Sequence, residues 1–252
     1  MAVYRNKGIV LRSIRFGEAD RILDLYTQDA GLTSAIAKGI RKTKSKFGAR
    51  LEPLSCVDFM AYTGRSLDTL TQAETLRSFH EIREDLIRFE AAARMVGYVK
   101  SLSGGDEADR RVFNLLYHAL DALEGRESGF EAMEAAFGMK LAILAGYAPQ
   151  LDACVECGME PGESEGMLRF APGLGGILCV ECDGGESRDS FPMPPGSLEG
   201  LRAIVRIPLK ELPETGLMGE ALRRVVRSHV IAHAPSNALV SDVGGGGRKR
   251  PA

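Results

Sequence analysis

Four of the five cysteines stand in two pairs with two residues between the members of each pair: Cys154 with Cys157, and Cys179 with Cys182. Two cysteines at this spacing can turn back so that both sulfurs face one ion, and two such turns supply a tetrahedron of thiolates. Four protein ligands leave no open position for water or substrate, which is typical of a structural metal site. We therefore predict one structural zinc per chain; iron bound by four thiolates and a redox-active dithiol pair remain alternatives.

A run of cations between positions 38 and 50, without any acidic residue, is the second group with a clear chemical use. Residues 1–50 carry 11 basic and four acidic side chains, a net charge of +7, whereas the rest of the chain sums to −9. A basic module joined to an acidic body indicates contact with a polyanion such as nucleic acid. The candidate DNA-binding residues are Lys38, Arg41, Lys42, Lys44, Lys46 and Arg50.

This basic segment, residues 38–50, allows other interpretations. The cations could belong to a solvated linker that binds nothing. Phe47, the aromatic residue of the segment, could stack on a base or could anchor the segment to the fold. These alternatives make different predictions about the burial of Phe47.

The sequence contains no recognisable catalytic group. It has no P-loop, kinase or Rossmann signature, and it lacks the deaminase pattern that combines a zinc-binding histidine with a C-x-x-C pair. The four histidines lie far from the cysteine pairs along the chain. Cys56 lies in an apolar stretch, where a free thiol usually acts as a small buried hydrophobe. We predict no catalytic and no cofactor-binding residue, and hence no enzymatic activity.

Short apolar runs joined by turns fill the first 75 residues and predict five strands. A small closed barrel of five strands is typical of the OB-fold, whose groove and loops bind oligonucleotides. The predicted strands cover Lys7–Ser13, Arg21–Thr27, Leu32–Lys38, Leu54–Tyr62 and Leu67–Glu74.

A helical period replaces this pattern from Phe79 onward, with three apolar stripes before position 145. Residues 150–190 are rich in Gly, Cys, Pro and acidic residues and show no period, so a metal is expected to hold them. Ser197 is predicted to cap a helix that ends near Val205, and Met218–His233 forms a final helix. The glycine-rich end with Arg248, Lys249 and Arg250 is predicted to be a flexible basic tail.

These patterns predict an α+β protein of several domains. An N-terminal OB-fold β-barrel for nucleic-acid binding occupies residues 1–77, and an α-helical domain at 78–240 carries the four-cysteine zinc module at about 150–190. Residues 241–252 form the tail. No apolar run reaches the roughly 18 residues of a membrane span, and no secretory signal is present, so we expect a cytoplasmic protein without a membrane partner.

The sequence resembles the RecO family of bacterial recombination mediators. At the N-terminus the resemblance is carried by GIVLRSIRFGEADRILDLYT, then GLTSAIAKGIRK, then the L-x-P-L of Leu51–Leu54. In the cysteine region it is carried by C-x-x-C-G, Phe170, Gly175, Gly176 and the second C-x-x-C. It covers about residues 3–240, and the tail after Val243 matches no family pattern.

The resemblance implies an N-terminal OB-fold, a helical domain with a zinc module, and a non-enzymatic role in DNA repair by the RecF pathway. It implies binding of single- and double-stranded DNA, annealing of complementary strands, and action with RecR to load RecA on DNA coated by single-strand-binding protein (SSB). By position, the DNA-contact loop of the family falls on the basic segment. A pocket for the acidic SSB C-terminal tail would belong to the helical domain.

Two other functions would also explain parts of the pattern. A zinc-ribbon transcription or RNA-binding factor would combine basic charge with a closed metal site. A metal-dependent nuclease would need an ion with open coordination positions.

Overall fold

Five strands occupy residues 3–77 of the computed structural model, which describes residues 2–103, 108–161, 168–183 and 189–234. They close into a barrel in the order β1-β2-β3-β5-β4, in which only the β3–β5 pair is parallel. This is the predicted five-stranded OB-type barrel. The strands are β1 (Val3–Phe16), β2 (Asp20–Thr27), β3 (Gly31–Ala37), β4 (Cys56–Tyr62) and β5 (Asp68–Arg77).

Strand β1 is twice as long as its neighbour β4; its first half pairs with β4 and its second half with β2. Its first residues pair with the end of β4, its middle with the start of β4, and its last residues with the start of β2. The register shifts between Val10 and Arg12, at a bulge. Bulges bend a strand and increase its twist, which lets both ends of β1 reach the same rim of the barrel.

The barrel buries one face of each strand inside and one patch of its outside against helices. Leu23 and Leu25, which alternate with half-buried residues on β2, pack in the barrel interior with Phe59 and Leu70. Ile9, with other barrel residues, packs instead in the core of the helices. The barrel and the helices therefore share one apolar contact region.

In the part of the chain that the structure describes, six α-helices follow the barrel. Asp85 and Asp109 cap α2 and α3, since each side chain accepts a hydrogen bond from a backbone N–H of the first turn. The helices are α1 (His80–Glu84), α2 (Leu86–Leu102), α3 (Arg110–Glu124), α4 (Phe130–Leu144), α5 (Ser197–Arg206) and α6 (Gly219–His233).

The predicted cap of α5 is wrong by one residue. Gly196 is the N-cap, with a φ of 80° in the left-handed region, and Ser197 is the first helical residue. The Ser197 hydroxyl is buried without a hydrogen-bond partner among the described residues, so it caps nothing.

Helix α4 lies at the centre of the helical part and contacts α2 and α6 closely. A Cβ atom on Gly138 would lie 2.7 Å from Val226 of α6 and 3.0 Å from Tyr98 of α2. These helices therefore pack against α4 at a position where only glycine leaves room for them. Glu134, fully buried on α4, accepts hydrogen bonds from the Tyr98 hydroxyl at 2.7 Å and from Arg94 at 2.5 Å. The buried carboxylate is thus paired, as a charge in a core must be.

The cysteine region forms a small sheet in the order β7-β6-β8 between α4 and α5. Its strands are β6 (Arg169–Ala171), β7 (Gly176–Leu178) and β8 (Phe191–Pro192). It rests on α6, where the His229 ring donates its Nε2–H to the Tyr147 carbonyl oxygen at 2.8 Å. The ring centroids of His229 and His233 are 4.5 Å apart. The histidines, distant from the cysteines in sequence, lie close to the Gly175 turn of this region.

Several predicted features lie outside the described residues: the basic tail at 241–252, residues 235–240 of the helical domain, the loop glycines Gly104 and Gly105, and Gly184. Within the described ranges, no helix combines the length and the apolar character that a membrane span requires.

Candidate metal centre and nucleic-acid interface

The four paired cysteines come together in space. The sulfur atoms of Cys154, Cys157, Cys179 and Cys182 all lie within 4.8 Å of one another. The Cys157 and Cys179 sulfurs are 3.8 Å apart, and none of the cysteines is in a disulfide. A tetrahedral ion with metal–sulfur bonds of about 2.3 Å requires sulfurs separated by about 3.8 Å. The donor set therefore fits a single zinc-sized ion.

Backbone turns set the positions of the four sulfurs. In the first pair, the N–H of Gly158 donates to the Cys154 carbonyl oxygen, and Gly158 has a φ of 72°. In the second pair, the N–H groups of Cys182 and Asp183 both donate to the Cys179 carbonyl oxygen. Each C-x-x-C pair is thus a closed turn that presents two sulfurs on one side, as the spacing predicts.

A close backbone contact joins the two turns. Val155 donates its N–H to the Ile177 carbonyl oxygen, which ties the first pair to strand β7. A Cβ atom on Gly176 would lie 2.5 Å from the Gln150 carbonyl oxygen, so only glycine allows this approach. The two halves of the centre are therefore positioned by backbone contacts that do not involve a metal.

The environment of Cys154 favours a thiolate. Burial by itself would raise the pKa of this thiol, but backbone N–H groups of Cys157, Cys179 and Glu156 point at the sulfur and lower its pKa to about 6. The Cys179 N–H lies 3.4 Å from the Cys154 sulfur. Donors aimed at sulfur stabilise the charged form that binds metal.

The basic segment lies between β3 and β4 and is firmly anchored. Ile40, Phe47 and Leu51 are buried and pack in the barrel interior, Phe47 with none of its surface exposed. Of the two predicted roles of Phe47, the structure supports the anchor, since a fully buried ring cannot stack on a base. The segment is a series of turns fixed to the barrel.

All six candidate cations point outward from this anchored segment. Each is exposed, and none forms an ion pair with a carboxylate in the part of the chain that the structure describes. Arg50 donates to the carbonyl oxygens of Lys46 and Phe47, which orders the end of the segment. Unpaired cations on an ordered backbone are suited to bind phosphates.

The segment also contacts the turn that joins β1 to β2. Arg41 donates its backbone N–H to the Ala19 carbonyl oxygen at 3.0 Å and its guanidinium to the Glu18 carbonyl oxygen at 3.1 Å. Gly39 donates to the Asp20 carboxylate at 2.7 Å. The basic segment and the β1–β2 turn thus form one surface. This contact follows from the register of β2 and β3, in which Arg21 pairs with Ala37, and the sequence alone does not give that register.

Other barrel cations are arranged differently. Arg5 forms a two-contact ion pair with Asp58, and this pairing raises the pKa of Arg5. Arg15 and Arg21 stand directly opposite each other in the β1–β2 ladder, and Arg21 is 3.2 Å from Glu52. Glu52 offsets the charge of Arg21, so Arg15 supplies the positive charge at this turn that no ion pair among the described residues balances.

Comparison of the sequence with known protein families identifies the family of this chain. Two family models match the chain: Recombination protein O N terminal over residues 1–79, and Recombination protein O C terminal over residues 83–233. The chain belongs to the RecO family of DNA repair proteins. The matched ranges correspond to the barrel and to the helical part with its cysteine centre.

Curated relatives agree over most of the chain. A DNA repair protein RecO of Rubrobacter xylanophilus is 61% identical over 252 residues, all of both chains. That of Symbiobacterium thermophilum is 34% identical over 90% of each chain, and that of Alkaliphilus metalliredigens is 33% identical over 91% of this chain and 93% of the relative. The RecO-family chain is therefore a DNA repair and recombination protein.

Proposed function

We propose that this RecO-family chain is a non-enzymatic, DNA-binding recombination mediator of the RecF pathway. In this proposal it binds single- and double-stranded DNA, anneals complementary strands and, with RecR, helps to load RecA on SSB-coated DNA. These steps exchange partners and neutralise phosphate charge without breaking or forming covalent bonds. They require no catalytic residues. Because the DNA of a bacterium lies in the nucleoid, we propose that the protein acts there, in the cytoplasm.

The observation that carries the proposal is the basic segment. Its six exposed cations are Lys38, Arg41, Lys42, Lys44, Lys46 and Arg50, and buried apolar side chains hold their backbone in place. An anchored backbone lowers the entropy that is lost when DNA binds, because the chain that carries the cations is already ordered. The position of this surface on an OB-type barrel agrees with oligonucleotide binding.

The cysteine centre completes the proposal as a structural zinc site, with one ion per chain bound by Cys154, Cys157, Cys179 and Cys182. Zinc would join the two C-x-x-C turns and stabilise the cysteine region without taking part in a reaction. We also propose the division into a barrel at 1–77, a helical domain at 78–240 and a tail at 241–252. The SSB C-terminal tail would bind the helical domain, with RecR, RecA and RecF as functional partners.

The decisive experiment measures DNA affinity against salt. For single strands, log K falls with log salt by about 0.7 per neutralised phosphate. Changing Arg41, Lys42 and Lys44 together to Ala should reduce the magnitude of the slope by up to about 2. Affinity should fall for every sequence tested, since phosphate contacts do not read bases. A fluorescence-anisotropy titration with single-stranded oligonucleotides measures both quantities.

A charge-matched control removes three exposed cations from the helical part: Arg111, Arg206 and Lys210, all changed to Ala. This variant should keep most of the affinity and the slope. If the basic-segment variant binds like the unchanged protein, the segment is a solvated surface and the proposed DNA site is wrong.

Competition binding, a cleavage assay and an annealing assay distinguish the competing functions. Preference for RNA over single-stranded DNA and duplex in competition would favour an RNA-binding or transcription factor. Cleavage of labelled DNA with magnesium would favour a nuclease. Strand annealing without cleavage supports the mediator.

A further inference from the structure

Helix α2 carries a stripe of apolar and small residues on the side that faces solvent. Leu86, Phe89, Ala93 and Gly97 are three or four residues apart, so they follow one another along one face of the helix. Leu86 is 72% exposed, Phe89 is 37% exposed, and Ala93 is also exposed. Single exposed apolar residues are common on protein surfaces, whereas a continuous apolar stripe is typical of a surface that binds another protein.

The two halves of this α2 stripe differ in shape. At the start of the helix, Leu86 and the neighbouring Ile87, which is 55% exposed, present large aliphatic side chains to solvent. In the second half, Gly97 has no side chain. Among the described residues, a Cβ atom added to Gly97 would have no contact within 4 Å beyond its own stretch of helix. The stripe therefore begins with large apolar side chains and ends with space for one.

The space beside Gly97 is a cleft between α2 and the barrel, with a volume of about 200 Å³. Ala93, Val96 and Gly97 line it from the helix, and Leu11 and Leu54 line it from the barrel. Since these residues are all apolar or without a side chain, the group that fits the cleft is an aliphatic side chain.

Charged residues of opposite sign lie at the two ends of the α2 stripe. Glu84 is exposed just before the helix begins, and Lys100 borders the cleft together with Arg12. Within the chain, Glu84 is 3.6 Å from His80, and Lys100 is 3.5 Å from Asp24. Charges of this kind determine the orientation in which two surfaces associate more than the strength of the association.

One arrangement of two copies of the chain matches the large half of the stripe with the small half. When two α2 helices pack antiparallel about a two-fold axis between Phe89 and Ala93, these two residues face each other across the contact. In the same register, Leu86 of one copy faces Gly97 of the other. Each large side chain then meets a small one.

The charges favour the same register. With Leu86 opposite Gly97, the antiparallel pairing places Glu84 of one copy near Lys100 of the other. A parallel pairing would instead place each residue opposite its own copy, with like charges together at both ends. The stripe is therefore complementary to itself in size and in charge, and only when the two helices are antiparallel.

We propose that a second copy of this chain docks on the α2 stripe, in a two-fold contact in which Leu86 of each copy enters the cleft beside Gly97 of the other. Both copies use the same surface, so the association closes at a dimer. The dimer carries two basic segments, and strand annealing can use one for each strand. Only this last consequence rests on the proposed function.

Sedimentation velocity on the full chain without DNA measures the association. The weight-average mass should rise from one chain toward two as the protein concentration increases. Leu86→Ala should raise the dimer Kd at least about tenfold, because it removes apolar burial from two symmetry-related contacts. Gly97→Leu should have a similar effect, because it fills both clefts. Both positions face solvent in the single chain, and thermal melting checks that the variants fold.

The two substitutions combined in one chain test the register. In this double variant, a small side chain at position 86 faces a large one at position 97 of the other copy, so the match in size returns with its direction reversed. The dimer Kd should come back to within about threefold of the unchanged protein. Ile231→Ala, at an exposed apolar residue of α6, is the matched control and should leave the dimer Kd unchanged.

Several outcomes would overturn the proposal. These are a single-chain mass up to about 100 μM protein, which corresponds to a Kd too weak for a specific dimer, a mass that rises beyond two chains, and a double variant no better than its two parents. Binding of a different protein that Leu86→Ala weakens, without self-association, would identify another occupant of the stripe. Because sedimentation is measured without DNA, failure of the basic segment to bind DNA would leave the dimer unaffected.

Discussion

The basic segment and the cysteine region are both long stretches with little regular structure, and they are held in different ways. The basic segment inserts Ile40, Phe47 and Leu51 into the barrel core. Among the described residues, the apolar cluster beside the sulfur atoms contains three buried side chains, those of Cys154, Ala171 and Leu178. The basic segment uses the core of the barrel. The small sheet packs Phe170 and Ile177 on the core of the helices, and this leaves the two C-x-x-C turns to a crosslink of their own. This difference predicts which substitution destabilises each region.

The largest effect should come from the cysteine centre. Cys154→Ser removes one ligand of the proposed zinc, and structural zinc contributes about 10 kcal/mol or more of folding free energy in small zinc-binding peptides. We expect the variant to lose zinc, measured by atomic emission, and to become less soluble and less thermally stable. Its affinity for DNA, compared while folded, should change much less. Metal-free protein with unchanged stability would contradict the structural role.

Phe47→Ala should have the next largest effect. Removing a fully buried ring leaves a cavity, which typically costs about 3–5 kcal/mol of the free energy of unfolding. Chemical denaturation measures this loss. The zinc content should not change, because the ring packs inside the barrel. Phe47→Leu, a smaller change in volume, should recover part of the stability, and equal losses in the two variants would argue against a packing role.

A smaller effect should appear with pH where the cysteine region meets α6. Burial lowers the pKa of His229, a hydrogen bond with the Tyr147 carbonyl oxygen opposes this shift, and His233 at 4.5 Å adds to it. The unfolded chain therefore takes up a proton first as the pH falls below about 6.5. Stability should decrease on acidification, by at most about 1.4 kcal/mol per pH unit from this group.

His229→Phe is the variant that isolates this effect. The free energy of unfolding of the variant should depend less on pH between about 5 and 7 than that of the unchanged protein, because the neutral ring cannot take up a proton. His80→Phe serves as a control, since His80 is an exposed residue of α1. An identical pH dependence in the unchanged protein and His229→Phe would show that other groups cause the acid sensitivity.

The spacing of the cysteines and the periodicity of the apolar residues predicted features that depend on residues close together in the sequence. The C-x-x-C pairs indicated the sulfur cluster, and alternation along Arg21–Thr27 indicated β2, because both patterns reflect local geometry. The family resemblance and the five short strands together indicated the barrel.

Features that depend on the closed fold could not be predicted. The sequence did not decide whether Phe47 stacks or anchors, because its burial depends on an interior that several strands build. Strand β1 was predicted to end at Ser13, and the structure extends it to Phe16, where the chain pairs with β2 beyond its apolar run. The pairing of Ile14 with Ile22, and of Ile22 with Ile36, depends on strand register, and pairing across strands is not encoded in any single run.

The start of β1 lies beside the end of β4, and this has a practical consequence for experiments. The Thr63 N–H donates to the Ala2 carbonyl oxygen at 2.9 Å, and Val3 pairs with Tyr62. Residues added before Ala2 would therefore emerge beside the turn that joins β4 to β5. A cationic affinity tag at that position would supply its own phosphate contacts, and a bulky one would cover Tyr62. Binding constants for this barrel should be measured after such a tag has been removed.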